Sequence, residues 1–327
     1  MTGGLDAEWM AAAVALGDEA RGTTAPNPNV GCVIVGHGIV VGRGATQPGG
    51  RPHAEAVALD QAGSAAVGAT VYTSLEPCAH VSPRGAACAD LLLAAQVGRV
   101  CVALQDPDPR TAGEGIARLR GAGIVVDVGT GAHEAARSME GFLTRLARGR
   151  AFVTLKLAWS IDGRIAMADG TSRFITGEEA RRHTHLQRAR SDAILVGRGT
   201  FDADAPRLDV RIEGLEHRSP ERYLLTRGAA PEGWHALSSP QAIASLHDVN
   251  DLLVEGGGET AAAFLAADLV DRMLIYPAPI VLGGGGRAGI GDIGLTGLPG
   301  LAAAHGRWTR GESIVLGSDR LDVYDRT

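Results

Sequence analysis

The sequence predicts an α/β protein of two domains, residues 1–148 and 149–327. Three observations predict it. Strand-like segments in the first half alternate with stretches of helical length, which implies βαβ units and a mostly parallel sheet. With 327 residues the chain is too long for one ordinary domain and ample for two. A helical segment ending in the basic turn Arg145, Arg148 and Arg150 is followed at Phe152-Val153-Thr154-Leu155-Lys156-Leu157 by a fresh strand pattern.

Residues 7–20 space Trp9, Met10, Ala13 and Leu16 as one helix face would. Residues 30–41 are β-branched and end in glycine, as a hairpin or buried strand pair does. A helix opening near His53, a strand at 69–74, a helix at 87–95 and a strand at 99–104 follow. The half closes with a helix at 113–121, a strand at 124–128 and one helix over 134–148. The second half shows strands at 152–157, 193–196, 223–226, 252–255, 272–276 and 313–316. Its glycine-rich turns are Glu255-Gly256-Gly257-Gly258 and Gly283-Gly284-Gly285-Gly286. The first turn precedes an apolar helix at 260–267, and backbone N–H groups at such a place can hold a phosphate. A tight surface turn explains the glycines equally well.

The composition, 45% hydrophobic without a long apolar span, is that of a soluble globular protein with no membrane helix. Its first residues have neither a basic nor an apolar signal region, and its four cysteines suit a reducing, cytoplasmic setting. The net charge of -6 argues against a nucleic-acid partner and for a small-molecule substrate. Of 31 basic residues only Lys156 is a lysine, which singles it out as a functional candidate.

The chemistry is densest at His53-Ala54-Glu55, Pro77-Cys78 and Cys88. One imidazole and two thiolates are the ligands of a tetrahedral Zn2+ whose fourth position is free. Such a zinc lowers the pKa of its water to about 7, ready to attack an amidine-like ring carbon. Glu55 is not needed to bind metal. It is needed to take a proton from water and return it to the ring nitrogen and departing ammonia. The arrangement is that of zinc-dependent base deaminases. A closed structural site would need a fourth protein ligand, for which Cys32 or Cys101 could serve. Both lie in apolar runs where a cysteine is commonly a small core residue.

These residues, together with Ala25-Pro26-Asn27-Pro28-Asn29, Gln105-Asp106-Pro107-Asp108-Pro109 and Ser160-Ile161-Asp162-Gly163-Arg164, resemble the bifunctional deaminase/reductases of riboflavin biosynthesis. The likeness spans nearly the whole chain, through Ala193-Ile194-Leu195-Val196-Gly197 and Glu255-Gly256-Gly257. It implies an N-terminal cytidine-deaminase-like three-layer α/β/α domain and a C-terminal dihydrofolate-reductase-like α/β domain. The first would deaminate a phosphorylated diaminopyrimidinone, and the second would use NADPH to reduce its ribosyl arm to ribityl. The resemblance makes His53, Cys78 and Cys88 the metal ligands, Glu55 the proton carrier and Asn27 a pyrimidine contact. It gives Ala158, Phe174, Thr200, Asp204, Gly257 and Gly258 to NADPH. It gives Lys156, Ser172, Arg188, Leu208, Arg211 and Glu255 to the substrate of the second step. A homo-oligomer is also implied.

The chain departs from the family pattern in places. The loop between the cysteines reads His80-Val81-Ser82-Pro83-Arg84-Gly85-Ala86-Ala87, one residue longer than usual, which makes Arg84 the candidate for the family's basic residue. Thr46 stands where a histidine is common, and Phe174 where a tryptophan is. Two other functions fit the residues. One is a zinc deaminase of another base or nucleoside with a drifted reductase domain. The other is a non-catalytic sensor of a pyrimidine or flavin precursor, against which the intact Glu55 counts.

Overall fold

The computed structural model describes residues 2–80, 85–172 and 175–327, and divides into two compact units, Met1–Gly149 and Arg150–Thr327. Arg84 and Phe174 lie outside the described residues.

The first unit contains α1 (Thr2–Glu19), β1 (Gly31–Gly36), β2 (Ile39–Ala45), α2 (Ala54–Ala62), β3 (Thr70–Leu75) and α3 (Cys88–Ala94). It continues with β4 (Arg99–Leu104), α4 (Glu114–Gly121), β5 (Val125–Val128), α5 (Ala132–Ser138) and α6 (Glu140–Arg148). Its five strands run in the order β2-β1-β3-β4-β5. The hairpin expected at 30–41 is the antiparallel pair β1–β2, and β3, β4 and β5 are parallel. Helix α1 buries Met10 and Ala13 against β1 and β3 and packs on α5, while α2, α3 and α4 form a second row. Close approach of α1 requires a glycine at position 31, where a Cβ would stand 1.8 Å from the Ala13 carbonyl oxygen.

The helix expected over 134–148 is two helices, broken at Met139 (φ -104, ψ 19). The reason is local competition for hydrogen bonds. The buried Asn29 amide donates to both the carbonyl and the hydroxyl of Ser138, at 3.2 and 3.1 Å. Met139 is then turned into the core instead of along a helix face.

The second unit contains β6 (Phe152–Ser160), β7 (Arg164–Ala166), α7 (Glu178–Ala189), β8 (Ala193–Gly197), α8 (Arg198–Asp204), β9 (Glu221–Leu225) and β10 (His235–Leu237). Then come β11 (Asp251–Val254), α9 (Gly258–Ala266), β12 (Arg272–Ala278), β13 (Arg287–Ala288), α10 (Gly297–Ala304), β14 (Trp308–Leu316) and β15 (Asp319–Arg326). Eight strands form one sheet, β10-β9-β8-β11-β6-β12-β15-β14. The six from β10 to β12 are parallel, and β15 and β14 return antiparallel at one edge. The central strands are buried on both faces, as their unbroken apolar runs require. A buried ion pair opens the unit: Arg150 donates to Asp271 at 2.6 and 2.8 Å, and Asp271 also accepts the Val153 N–H.

Candidate active sites

In the first unit, the loops beyond the carboxyl ends of β3 and β4 meet the starts of α2 and α3. His53 is the extended residue before α2, Glu55 lies in that helix's first turn, and Cys88 opens α3. Cys78 follows β3. The sequence therefore places the three ligands at one end of the sheet. His53 Nδ1 lies 3.3 Å from Cys88 Sγ and 3.5 Å from Cys78 Sγ, and the three donors lie within 4.8 Å of one another. With Zn–S near about 2.3 Å and Zn–N near about 2.0 Å, the N–S edge of a tetrahedron is about 3.5 Å, so the donor set fits zinc.

The electrostatics also call for a cation. A hydrogen bond from the Cys88 thiol, helped by the Cys88 N–H at 3.3 Å, pulls Cys78 down to about 3. That same bond, with burial, pushes Cys88 well up. A divalent cation between them would favour the thiolate form of both sulfurs. Glu55 is 3% exposed, and burial raises its carboxyl above the ordinary carboxylate range. Cys32 and Cys101 lie in the sheet core, in β1 and β4, and do not join this cluster among the described residues. The closed four-ligand arrangement is therefore not formed here. Thr46 pins the start of β1, its hydroxyl accepting the Val30 N–H at 3.0 Å.

Glu76, just before Pro77-Cys78, has a role that the sequence did not reveal. Its buried carboxylate accepts the N–H groups of Asp106, Gly113 and Ile116 at 3.2, 2.9 and 3.0 Å. It thereby ties the loop after β4 and the start of α4 to the segment that carries Cys78. Burial pushes the neighbouring Asp106 up to about 6.

In the second unit a cleft of about 670 Å³ opens between β6, α8 and the start of α9. Lys156, Ala158, Ser172, Thr200 and Asp204 line it, as do Glu255, Gly257 and Gly258. The Gly257 N–H donates to the Thr200 hydroxyl at 3.1 Å, and a Cβ on Gly257 would meet that oxygen at 3.3 Å. The turn thus presents backbone without a side chain to the cleft. Lys156 Nζ stands 4.0 Å from Glu255 Oε2 and 5.7 Å over the Tyr276 ring. Burial lowers the Lys156 ammonium from its ordinary value, partly offset by Glu255.

Three predicted substrate residues are not on that lining. Arg188 stands behind Glu255, donating to both its oxygens at 2.7 and 2.9 Å and to the Asp209 carbonyl at 3.0 Å. Leu208 packs its side chain among Ile194, Val196, Leu224 and Leu253. Arg211 is an exposed partner of Asp209. Conversely, Glu259, Arg287 and Gly291 line the cleft without having been singled out.

Family models match both units. The cytidine and deoxycytidylate deaminase zinc-binding region matches residues 4–104, and the RibD C-terminal domain matches 151–232 and 235–315. Riboflavin biosynthesis protein RibD of Escherichia coli (strain K12) is 39% identical over 90% of this chain and 92% of that protein. The chain belongs to the RibD family. The RibD protein of Mycobacterium tuberculosis (strain H37Rv) is 40% identical over 88% of this chain and 89% of its own length. Acinetobacter baumannii RibD, form 1, superimposes with a TM-score of 0.87 at 35% identity, covering 98% of this chain and 99% of that one. A diaminohydroxyphosphoribosylaminopyrimidine deaminase/5-amino-6-(5-phosphoribosylamino)uracil reductase from Thermotoga maritima gives 0.90 at 26% identity, with both chains wholly covered. The RibD fold thus accounts for both units: a deaminase-like α/β unit followed by a dihydrofolate-reductase-like one.

Proposed function

We propose that this chain performs two consecutive steps of riboflavin biosynthesis. The first unit hydrolyses the 2-amino group of 2,5-diamino-6-(5-phosphoribosylamino)pyrimidin-4-one, and the second reduces the ribosyl arm to ribityl with NADPH. The observation that carries the reading is the His53, Cys78 and Cys88 trio with a buried Glu55 beside it, in a chain whose other half holds a glycine-lined cleft with Lys156, Thr200 and Glu255.

Zinc, when bound, supplies an open fourth position at which water is acidified. The residues do the rest. His53 Nδ1 and the two cysteine sulfurs would hold the metal, leaving Glu55 free for proton transfer. Burial makes the Glu55 carboxylate a stronger base than an exposed one. It is placed to pass a proton from the attacking water to the ring nitrogen, and then to carry the hydroxyl proton of the adduct to the amino group, which leaves as ammonia as the carbonyl forms. Asn27 hydrogen-bonds the pyrimidine and so fixes which amino group is presented.

In the cleft, NADPH when bound would supply the hydride. Ala158, Thr200, Asp204 and the Gly257-Gly258 turn hold the cofactor, while Lys156, Ser172 and Glu255 face the substrate. Arg188 acts through Glu255, fixing its carboxylate toward Lys156. The substrate is a small molecule and no nucleic acid is involved. Among the described residues no helix is long and apolar enough to cross a membrane, and the four free cysteines suit the cytoplasm. The exposed edge strand β14, with Val315 77% exposed, supports a homo-oligomer. A light-scattering mass equal to one 33.7 kDa chain would remove that part of the reading.

The test is an assay of purified protein with the diaminopyrimidinone phosphate. Ammonia should appear without NADPH, and NADPH oxidation should begin only after ammonia has been released. Ammonia release from cytidine or another base in preference to this substrate would favour a deaminase of different specificity.

A further inference from the structure

Residues 47–52 form a turn that joins the pyrimidine side of the zinc site to its ligands. The turn is closed by its own backbone: the Gly50 N–H donates to the Gln47 carbonyl at 2.8 Å, and the Gln47 N–H to the Pro52 carbonyl at 3.0 Å. It is pinned outward by the Gly49 N–H on the Thr23 carbonyl, at 3.0 Å. Gly50 has φ +86, and a Cβ there would stand 1.9 Å from Asn27 Nδ2, so this residue lies flat against Asn27. Arg51 comes next, two residues before the ligand His53. Its guanidinium reaches the other ligand-bearing segment, with Nη1 3.1 Å from where a methyl on Gly85 would be. Gly85 is three residues before Cys88.

Arg51 is half-buried and has no hydrogen bond or ion pair among the described residues. Arg21, Arg150, Arg188 and Arg272, with side chains only 10–11% exposed, each hold a carboxylate. A guanidinium taken partly out of water without an anion loses hydration and gains nothing for it. Its planar fork of donors suits a phosphate monoester held by two oxygens. We propose that Arg51 binds the phosphate of the substrate's ribosyl arm when the pyrimidine occupies the zinc site. The inference rests on the deaminase reading of the first unit. With the ring between Asn27 and Glu55, the arm leaves along the rim between Gly50 and Gly85, where the guanidinium stands. The phosphate is remote from the reacting carbon, so Arg51 sets affinity and not the chemical step.

The experiment compares the diaminopyrimidinone phosphate with the same compound after phosphatase treatment, in wild type, Arg51→Ala and Arg51→Gln. Wild type should show a KM about 10- to 100-fold lower for the phosphorylated compound at similar kcat. Both variants should raise the KM for the phosphorylated compound to that of the dephosphorylated one and leave the latter unchanged. Zinc content should stay at one per chain. Equal KM values for the two compounds in wild type would overturn the proposal without any variant. So would a phosphate preference that survives in Arg51→Ala or in Arg51→Gln, which keeps part of the side-chain stem. If wild type releases ammonia from neither compound, the deaminase reading falls and this inference with it. Turnover without phosphate preference removes the inference alone.

Discussion

Glu55 and Glu255 are both buried carboxylates, and their surroundings give them opposite characters. Burial dominates at Glu55 and raises it, as a proton carrier requires. Burial also pushes Glu255 up, but the charge and paired bonds of Arg188, with Lys156 behind, outweigh it and hold Glu255 below its ordinary value. Replacing Glu55 by alanine should leave about one zinc per chain while deamination falls by at least about 10²- to 10⁴-fold, because the ligands remain and the proton carrier is gone. Metal analysis beside an ammonia assay checks this, and loss of zinc would show that Glu55 helps to bind it. For Glu255 the sign follows from linkage. Its folded pKa is depressed, so the stabilisation is complete above its unfolded value of about 4.3 and is lost as pH falls through the folded one. Arg188→Ala should cost about 3–5 kcal/mol at pH 7, since it leaves a buried carboxylate with Lys156 alone. The penalty should shrink at pH 3. Urea midpoints read from the fluorescence of Trp159, Trp234 and Trp308, all in the second unit, test both statements.

At the scale of elements, Glu76 connects the metal loop to the loop after β4. Glu76→Ala would orphan three N–H groups, each costing roughly 1–3 kcal/mol where water cannot replace the bond. The expected outcome is a loss of about 3 kcal/mol or more in stability and roughly tenfold weaker zinc binding, read by denaturation and by competition with a chelator. Unchanged zinc affinity would mean that Cys78 is positioned without it. This clamp was not legible in the sequence, because nothing in Glu76-Pro77-Cys78 tells which distant N–H groups the carboxylate will meet. The zinc trio was legible, because metal chemistry dictates residue types and two of the ligands sit at helix starts. The strands β3, β4, β8 and β11 were legible from their buried apolar runs. The break at Met139 was hidden because it depends on Asn29, more than a hundred residues away in sequence. Strand β15 was missed despite its alternation of Leu321, Asp322, Val323 and Tyr324. Three of the arginine and leucine assignments in the second unit were inherited from family resemblance. Resemblance transfers a position, but whether its side chain faces the cleft or stands behind it depends on packing, as Arg188 and Leu208 show.

For the whole molecule, the two units have separate cores and chemically unlike sites. The second unit contains no cysteine, and its cleft is built from glycine backbone, Thr200, Lys156 and Glu255. The chemistry of one site therefore does not depend on the donor set of the other. The most direct measurement of that claim is to strip the metal with a chelator and follow both reactions in one preparation. Ammonia release should fall to background and return on adding Zn2+, while NADPH oxidation on pre-deaminated substrate should stay close to its untreated rate. Loss of both activities together, in protein whose circular dichroism shows it still folded, would contradict the account of two independent sites on one chain.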